Sequence, residues 1–249
     1  QIIGGMSSTY LTPNTPSKSS GQTLFYFIGA ENTNGIPRQG NNQTKYGRAI
    51  LQPVLTYDPA GWCVNSTTGW CFSSWYCCPK DLTVHSNYIQ NVEPGDLFFG
   101  QFNLSSDGKN FETIGISSRT GETASLKSPR QGREFNWADI TQEVYNMDSC
   151  DNFAKGNMEF QDVKLWDMNN KPIQPNWLLT SNKPCNGVIS QKGTTFTITH
   201  DGGSSSSNSN SNSNNNKDTD SQTTTPVGQP LGKWQIYEPL SDEFNTETL

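Results

Sequence analysis

Short runs of alternating apolar and polar residues, punctuated by Gly, Asn, Pro and Asp clusters, recur from residue 21 to about residue 200. In the run from 48 to 57, Arg48, Ile50, Gln52, Val54 and Thr56 share one face of an extended chain, while Ala49, Leu51, Pro53 and Leu55 share the other. A period of two predicts β-strands, here at 23–29, 48–57, 72–78, 85–92, 97–104, 112–118, 122–127, 137–145, 158–166 and 195–200. No stretch carries the 3.6-residue apolar period of an amphipathic helix. The expected fold class is therefore all-β, an antiparallel β-sandwich whose strands each bury one face, the other being exposed or lining a groove. Pro53 cannot donate to a ladder and suggests an edge strand or a bulge just beyond Gln52.

The pattern divides the chain into an N-terminal extension (1–22), the sandwich (23–201), a linker (202–230) and a C-terminal strand and tail (231–249). Residues 204–216 are Ser and Asn alone, a tract with too little apolar surface to offset its ordering entropy. Alternation returns in 231–240, where Trp234 and Ile236 share a face. That segment either returns to its own sandwich or docks on the sheet edge of a second copy, giving self-assembly through 231–240; the linker is long enough for both.

Composition narrows the class. The 249 residues are 31% hydrophobic and 16% charged, with a net charge of −6 and no cluster of Lys and Arg, which excludes a nucleic-acid partner. Every apolar run falls short of the roughly 20 residues of a membrane span. Six cysteines without a Cys-x-x-Cys pair, and only two histidines, argue against a zinc site. Asp162, Asp167, Asn169 and Asn170 lack the spacing of a calcium loop and read as a hairpin turn, so neither metal nor cofactor is expected. Cys63 and Cys71 are expected to bridge a short loop and Cys150 and Cys185 a long one; Cys77 and Cys78 either take different partners or join each other. Three glycosylation sequons begin at Asn42, Asn65 and Asn103, in polar stretches that read as turns. Gln1 in place of Met reads as a processed end. Together these features predict a secreted, disulfide-braced glycoprotein.

The usual nucleophilic sites are missing: His85 and His200 stand at strand ends, and no Gly-x-Ser-x-Gly elbow is present. The polar residues that draw notice inside strands are Gln52, Asp139 and Glu143. Asp139 and Glu143 share a strand face about 13 Å apart, too far to share a proton. At these residues the chain resembles the glutamic peptidases, or eqolisins. Phe27-Ile28-Gly29-Ala30-Glu31 is similar to the family's Trp-Val-Gly-Ile-Asp, Ala49-Ile50-Leu51-Gln52 to its Ile-Leu-Gln, and Ser74-Trp75-Tyr76 with Glu93-Pro94-Gly95-Asp96 to its Ala-Trp-Tyr and downstream Gly-Asp turn. Ala138-Asp139-Ile140-Thr141-Gln142-Glu143 lines up with Ala-Glu-Trp-Ile-Val-Glu, whose first Glu is the catalytic acid.

The resemblance implies a concanavalin A-like, jelly-roll sandwich and an acid-acting peptidase, with Gln52 stabilising the oxyanion and Asp139 or Glu143 as the carboxyl group. Asp139 replaces the family Glu, Phe27 a Trp and Glu31 an Asp. The shorter carboxyl stands back by about 1.5 Å, where about 1 Å can cost on the order of a hundredfold in rate. Trp75, Tyr76, Trp137, Tyr145 and Glu31 are the candidate substrate-binding residues. Two other functions fit the same pattern: a non-catalytic carbohydrate-binding protein, with those aromatic rings as platforms for a glycan ligand, and a filament subunit assembling through its C-terminal strand.

Overall fold

A computed structural model describes residues 1–33, 36, 37, 45, 46, 48–78, 83–180 and 184–200. Asn42, the 202–230 linker and the 231–240 segment lie outside the described residues. The strands are β1 (Ile3–Leu11), β2 (Thr23–Glu31), β3 (Ile36–Pro37), β4 (Lys45–Tyr46), β5 (Ile50–Tyr57), β6 (Trp70–Cys77), β7 (Val84–His85), β8 (Leu97–Leu104), β9 (Asn110–Ser117), β10 (Thr123–Pro129), β11 (Trp137–Tyr145), β12 (Asn157–Asp167), β13 (Val188–Lys192) and β14 (Thr195–Thr199). They form an antiparallel seven-stranded sheet, β10-β9-β8-β1-β12-β14-β13, and an antiparallel five-stranded sheet, β11-β2-β5-β6-β7, with β3 and β4 a separate pair. Helical structure among the described residues is limited to 3-10 turns at Cys150–Asn152 and Pro184–Asn186.

Alternation builds the core between the sheets. Tyr26, Ile28, Leu51, Leu55, Phe72 and Ile140 of the smaller sheet meet Met6, Tyr10, Phe98, Phe102 and Phe160 of the larger. Phe72 stacks on Phe98 with ring centres 4.8 Å apart, and Tyr10 stands edge-on to Phe72 and Phe160 at 5.4 and 4.9 Å. Such aromatic pairs contribute beyond the area they bury.

The segment expected to be an N-terminal extension supplies β1, which pairs with β8 on one side and β12 on the other. Its Gly4, Gly5, Ser7 and Ser8 carry little apolar signal, because large neighbours cross this strand: a Cβ on Gly5 would stand 2.4 Å from the Trp166 indole. The expected strand at 85–92 shrinks to β7 and an isolated Ile89–Phe72 bridge. There the Ser86 hydroxyl accepts the Ser74 backbone N–H at 3.0 Å and takes the place of a ladder bond.

Pro53 marks neither an edge nor a bulge. β5 lies inside the sheet, and its register with β2 is constant from Leu24↔Tyr57 to Glu31↔Ile50. The ladder instead opens where Ile28 faces Pro53, and Tyr10 fills the opening from the opposite sheet. The Ile28 N–H donates to the Tyr10 hydroxyl at 2.9 Å, and that hydroxyl donates to the Pro53 carbonyl at 2.7 Å. Nor is β5 half-buried: its Val54 and Thr56 are as enclosed as Leu51 and Leu55.

Disulfides join Cys63 to Cys71, Cys150 to Cys185 and the neighbours Cys77 and Cys78. Asn65 is exposed in a turn, whereas Asn103 lies within β8, half-buried, its Oδ1 accepting from Trp166 Nε1 at 2.9 Å. Asp167 begins a hairpin turn, accepting the backbone N–H groups of Asn169 and Lys171 on Oδ1 at 2.8 and 3.0 Å.

Candidate active site

The face of the five-stranded sheet turned away from the core carries the candidate residues. Period-two alternation puts Trp137, Asp139, Thr141, Glu143 and Tyr145 of β11 on it, with Phe25, Phe27, Gly29 and Glu31 of β2, Gln52 and Val54 of β5, and Ser73 and Trp75 of β6. One row crosses the sheet: Asp139 pairs with Gly29, Gly29 stands level with Gln52 in the constant β2–β5 register, Gln52 pairs with Trp75, and Trp75 with His85. At the usual strand spacing, the Asp139 and Gln52 backbones are about 10 Å apart with only a glycine between them.

That glycine matters. A Cβ on Gly29 would stand 2.3 Å from Asp139 Oδ1, so the carboxyl leans across β2 through the space a side chain would fill. Asp139 is 6% exposed; its Oδ2 accepts from Thr141 Oγ1 at 3.0 Å, and its Oδ1 has no hydrogen-bond partner among the described residues. Burial, reinforced by the charges of Glu31 and Glu143 and opposed by the Thr141 hydrogen bond, pushes its pKa up to about 7. The Gln52 side chain is also buried and makes no hydrogen bond with the described residues.

Glu143 lies on the same face one Thr141 further along, accepting from the Tyr145 hydroxyl at 3.2 Å. Burial raises its pKa to about 7 as well. Burial also raises that of Glu31, opposed by Arg48, an exposed partner 3.8 Å away. The sign of the linkage is fixed: a carboxyl raised in the folded state adds stability below its unfolded pKa, near 4, and that stability is lost as pH rises through about 7. The thermal midpoint is expected to fall between about pH 4 and pH 8, and Asp139→Asn to flatten that fall; a midpoint indifferent to pH contradicts the burial of these groups.

Of the expected substrate-binding residues, Trp75, Trp137, Tyr145 and Glu31 share the site face. Tyr76 does not. It points into the core, 3% exposed, its hydroxyl donating to the Pro129 carbonyl at 3.2 Å and its ring under the Arg133 guanidinium. Three aromatic residues not singled out for the site also stand on this face, Trp62, His85 and Tyr88, grouped around Trp75.

No protein-family model matches the sequence, and no curated protein matches it. Among solved structures, scytalidoglutamic peptidase with a transition-state analogue inhibitor aligns at a TM-score of 0.51 and 15% identity, over 80% of this chain and 93% of that one. SCP-B, a member of the eqolisin family of peptidases in complex with the tripeptide Ala-Ile-His, aligns at a TM-score of 0.47 and 15% identity, over 80% and 94%. The chain has the β-sandwich fold of a glutamic peptidase, as the four short segments led one to expect.

Proposed function

We propose that this chain is a secreted peptidase of eqolisin type in which Gln52 and Asp139 hydrolyse peptide bonds on the outer face of the five-stranded sheet. The observation that carries the reading is the Asp139 carboxyl lying over Gly29 toward Gln52, with one oxygen unpartnered. Leaning across a glycine offsets the reach that Asp lacks beside Glu. In the reaction, Asp139 Oδ1 takes a proton from a water held above Gly29 as its oxygen attacks the scissile carbonyl. The Gln52 amide N–H donates to the resulting oxyanion, and protonated Asp139 then returns its proton to the leaving amine. Three disulfides, and the lack of any helix among the described residues long and apolar enough to cross a membrane, accord with secretion.

The base form of Asp139 is needed, so its raised pKa sets the working range. Below about pH 7, kcat/KM falls tenfold per pH unit, which places the optimum in weakly acid to neutral solution rather than at strongly acid pH. Cleavage of a denatured protein between about pH 2 and pH 8 tests this. Gln52→Ala is expected to lose about 10² to 10³ in kcat, and Asp139→Asn at least as much. Glu143→Gln removes a charge that raises the Asp139 pKa and moves the acid limb to lower pH while cleavage persists. Full activity in Asp139→Asn, or no cleavage by the unaltered protein, overturns the proposal.

A further inference from the structure

Trp62 is 36% exposed, yet it is held in place from several sides. The Cys63–Cys71 disulfide ties its loop to β6, Asp58 Oδ2 accepts the Trp62 backbone N–H at 3.2 Å, and the Gln90 side chain donates to the Trp62 carbonyl at 3.0 Å. A large aromatic ring left partly in water on a fastened loop is the usual composition of a binding anchor, since little conformational freedom remains to be lost. The surrounding rings make a corner. Trp62 stacks on Tyr88 with an interplanar angle of 22°, and meets Trp75 and His85 at 73°, with centres 5.3 and 5.4 Å away.

Resting on the peptidase reading, we infer that this corner is a specificity subsite that takes a large apolar side chain, aromatic or leucine-like, of the polypeptide being cut. Trp75 stands beside Gln52 in the same row, so a bond held between Asp139 and Gln52 has the side chain of a flanking residue directed over β6 onto Trp75 and Trp62. Two arguments favour an apolar side chain over a sugar. Rings meeting at steep angles enclose a compact group rather than offer the flat platform on which a pyranose lies. The Trp75 indole N–H is not free to meet a sugar hydroxyl, because it already donates to Ser73 Oγ.

The test compares the protein with Trp62→Ala and Trp62→Phe on a peptide mixture, reading the residues that flank each cut. The unaltered protein is expected to cut beside Phe, Tyr, Trp or Leu. Trp62→Ala raises KM for those peptides about tenfold at similar kcat and leaves cuts beside small residues unchanged, and Trp62→Phe restores the preference. The same flanking residues in Trp62→Ala overturn the subsite even though the peptidase stands. If nothing is cut, calorimetric titration separates the two ideas. N-acetyl-Gly-Phe-Gly-amide binding more tightly than its triglycine analogue, with the difference lost in Trp62→Ala, upholds the subsite without the peptidase. Equal binding of the two peptides, or preferential binding of an oligosaccharide, overturns it.

Discussion

Replacing Gly29 by Ala is expected to cost about 1–3 kcal/mol of stability, because a methyl must be inserted into occupied space, and about a hundredfold or more in cleavage rate. The new Cβ would stand 2.3 Å from Asp139 Oδ1 and 3.4 Å from the Ile50 side chain, so the carboxyl is the group that must move. Denaturant unfolding and initial cleavage rates measure the two effects. A second replacement separates them: in Gly29→Ala/Asp139→Ala the obstructing carboxyl is gone, so stability returns while activity stays lost. A Gly29→Ala protein as stable and active as the original contradicts the placement of Asp139 across β2.

Tyr10→Phe is expected to lower stability by about 2–6 kcal/mol, since it keeps the ring against Phe72 and Phe160 and removes only the hydroxyl. The Ile28 N–H and the Pro53 carbonyl then both lose their partner inside the sheet, at about 1–3 kcal/mol for each buried polar group left unpaired. At about 2–4 °C per kcal/mol for a domain of this size, the thermal midpoint drops by roughly 4–24 °C. A smaller change, within about 1 °C, means that the two strands close without the phenol. Gln52 precedes Pro53, and any such closure shifts its amide relative to Asp139, so in that case the cleavage rate falls although the midpoint holds.

Strands whose side chains alternate over their full length were legible in the sequence: Leu97–Leu104 and Trp137–Tyr145 are found with the expected ends. β1 was not, because the places where Trp166 and the Asp167 backbone come close demand glycine, and glycine carries no hydrophobic pattern. Gln52 and Asp139 were legible through the order of short family-like segments, and the structure sets them in one row. Tyr76 lies on the core side rather than in the groove, and the sequence itself requires this: neighbours on a strand point to opposite sides, so Trp75 and Tyr76 cannot both line one groove. Trp62 was hidden for a different reason. It sits in a loop whose return over the sheet depends on a disulfide and on side chains of Asp58 and Gln90, none of which leaves a periodic trace. Tyr10 likewise acquires its place only from the donor that Pro53 lacks and the opening this leaves in another sheet.

The position of β1 also governs how the molecule is assembled in time. Tyr10 has Phe98 as its neighbour on one side and Phe160 on the other, both remote in the chain, so the middle of the larger sheet is completed only after most of the domain is in hand. Closing such distant pairings costs chain entropy before any contact compensates for it, which places folding in the slow, milliseconds-to-seconds range of high-contact-order β-proteins. Because the phenol that spaces β2 from β5 is carried on this strand, a chain lacking β12 still contains Gly29, Gln52 and Asp139 and yet lacks the support that sets them in one row.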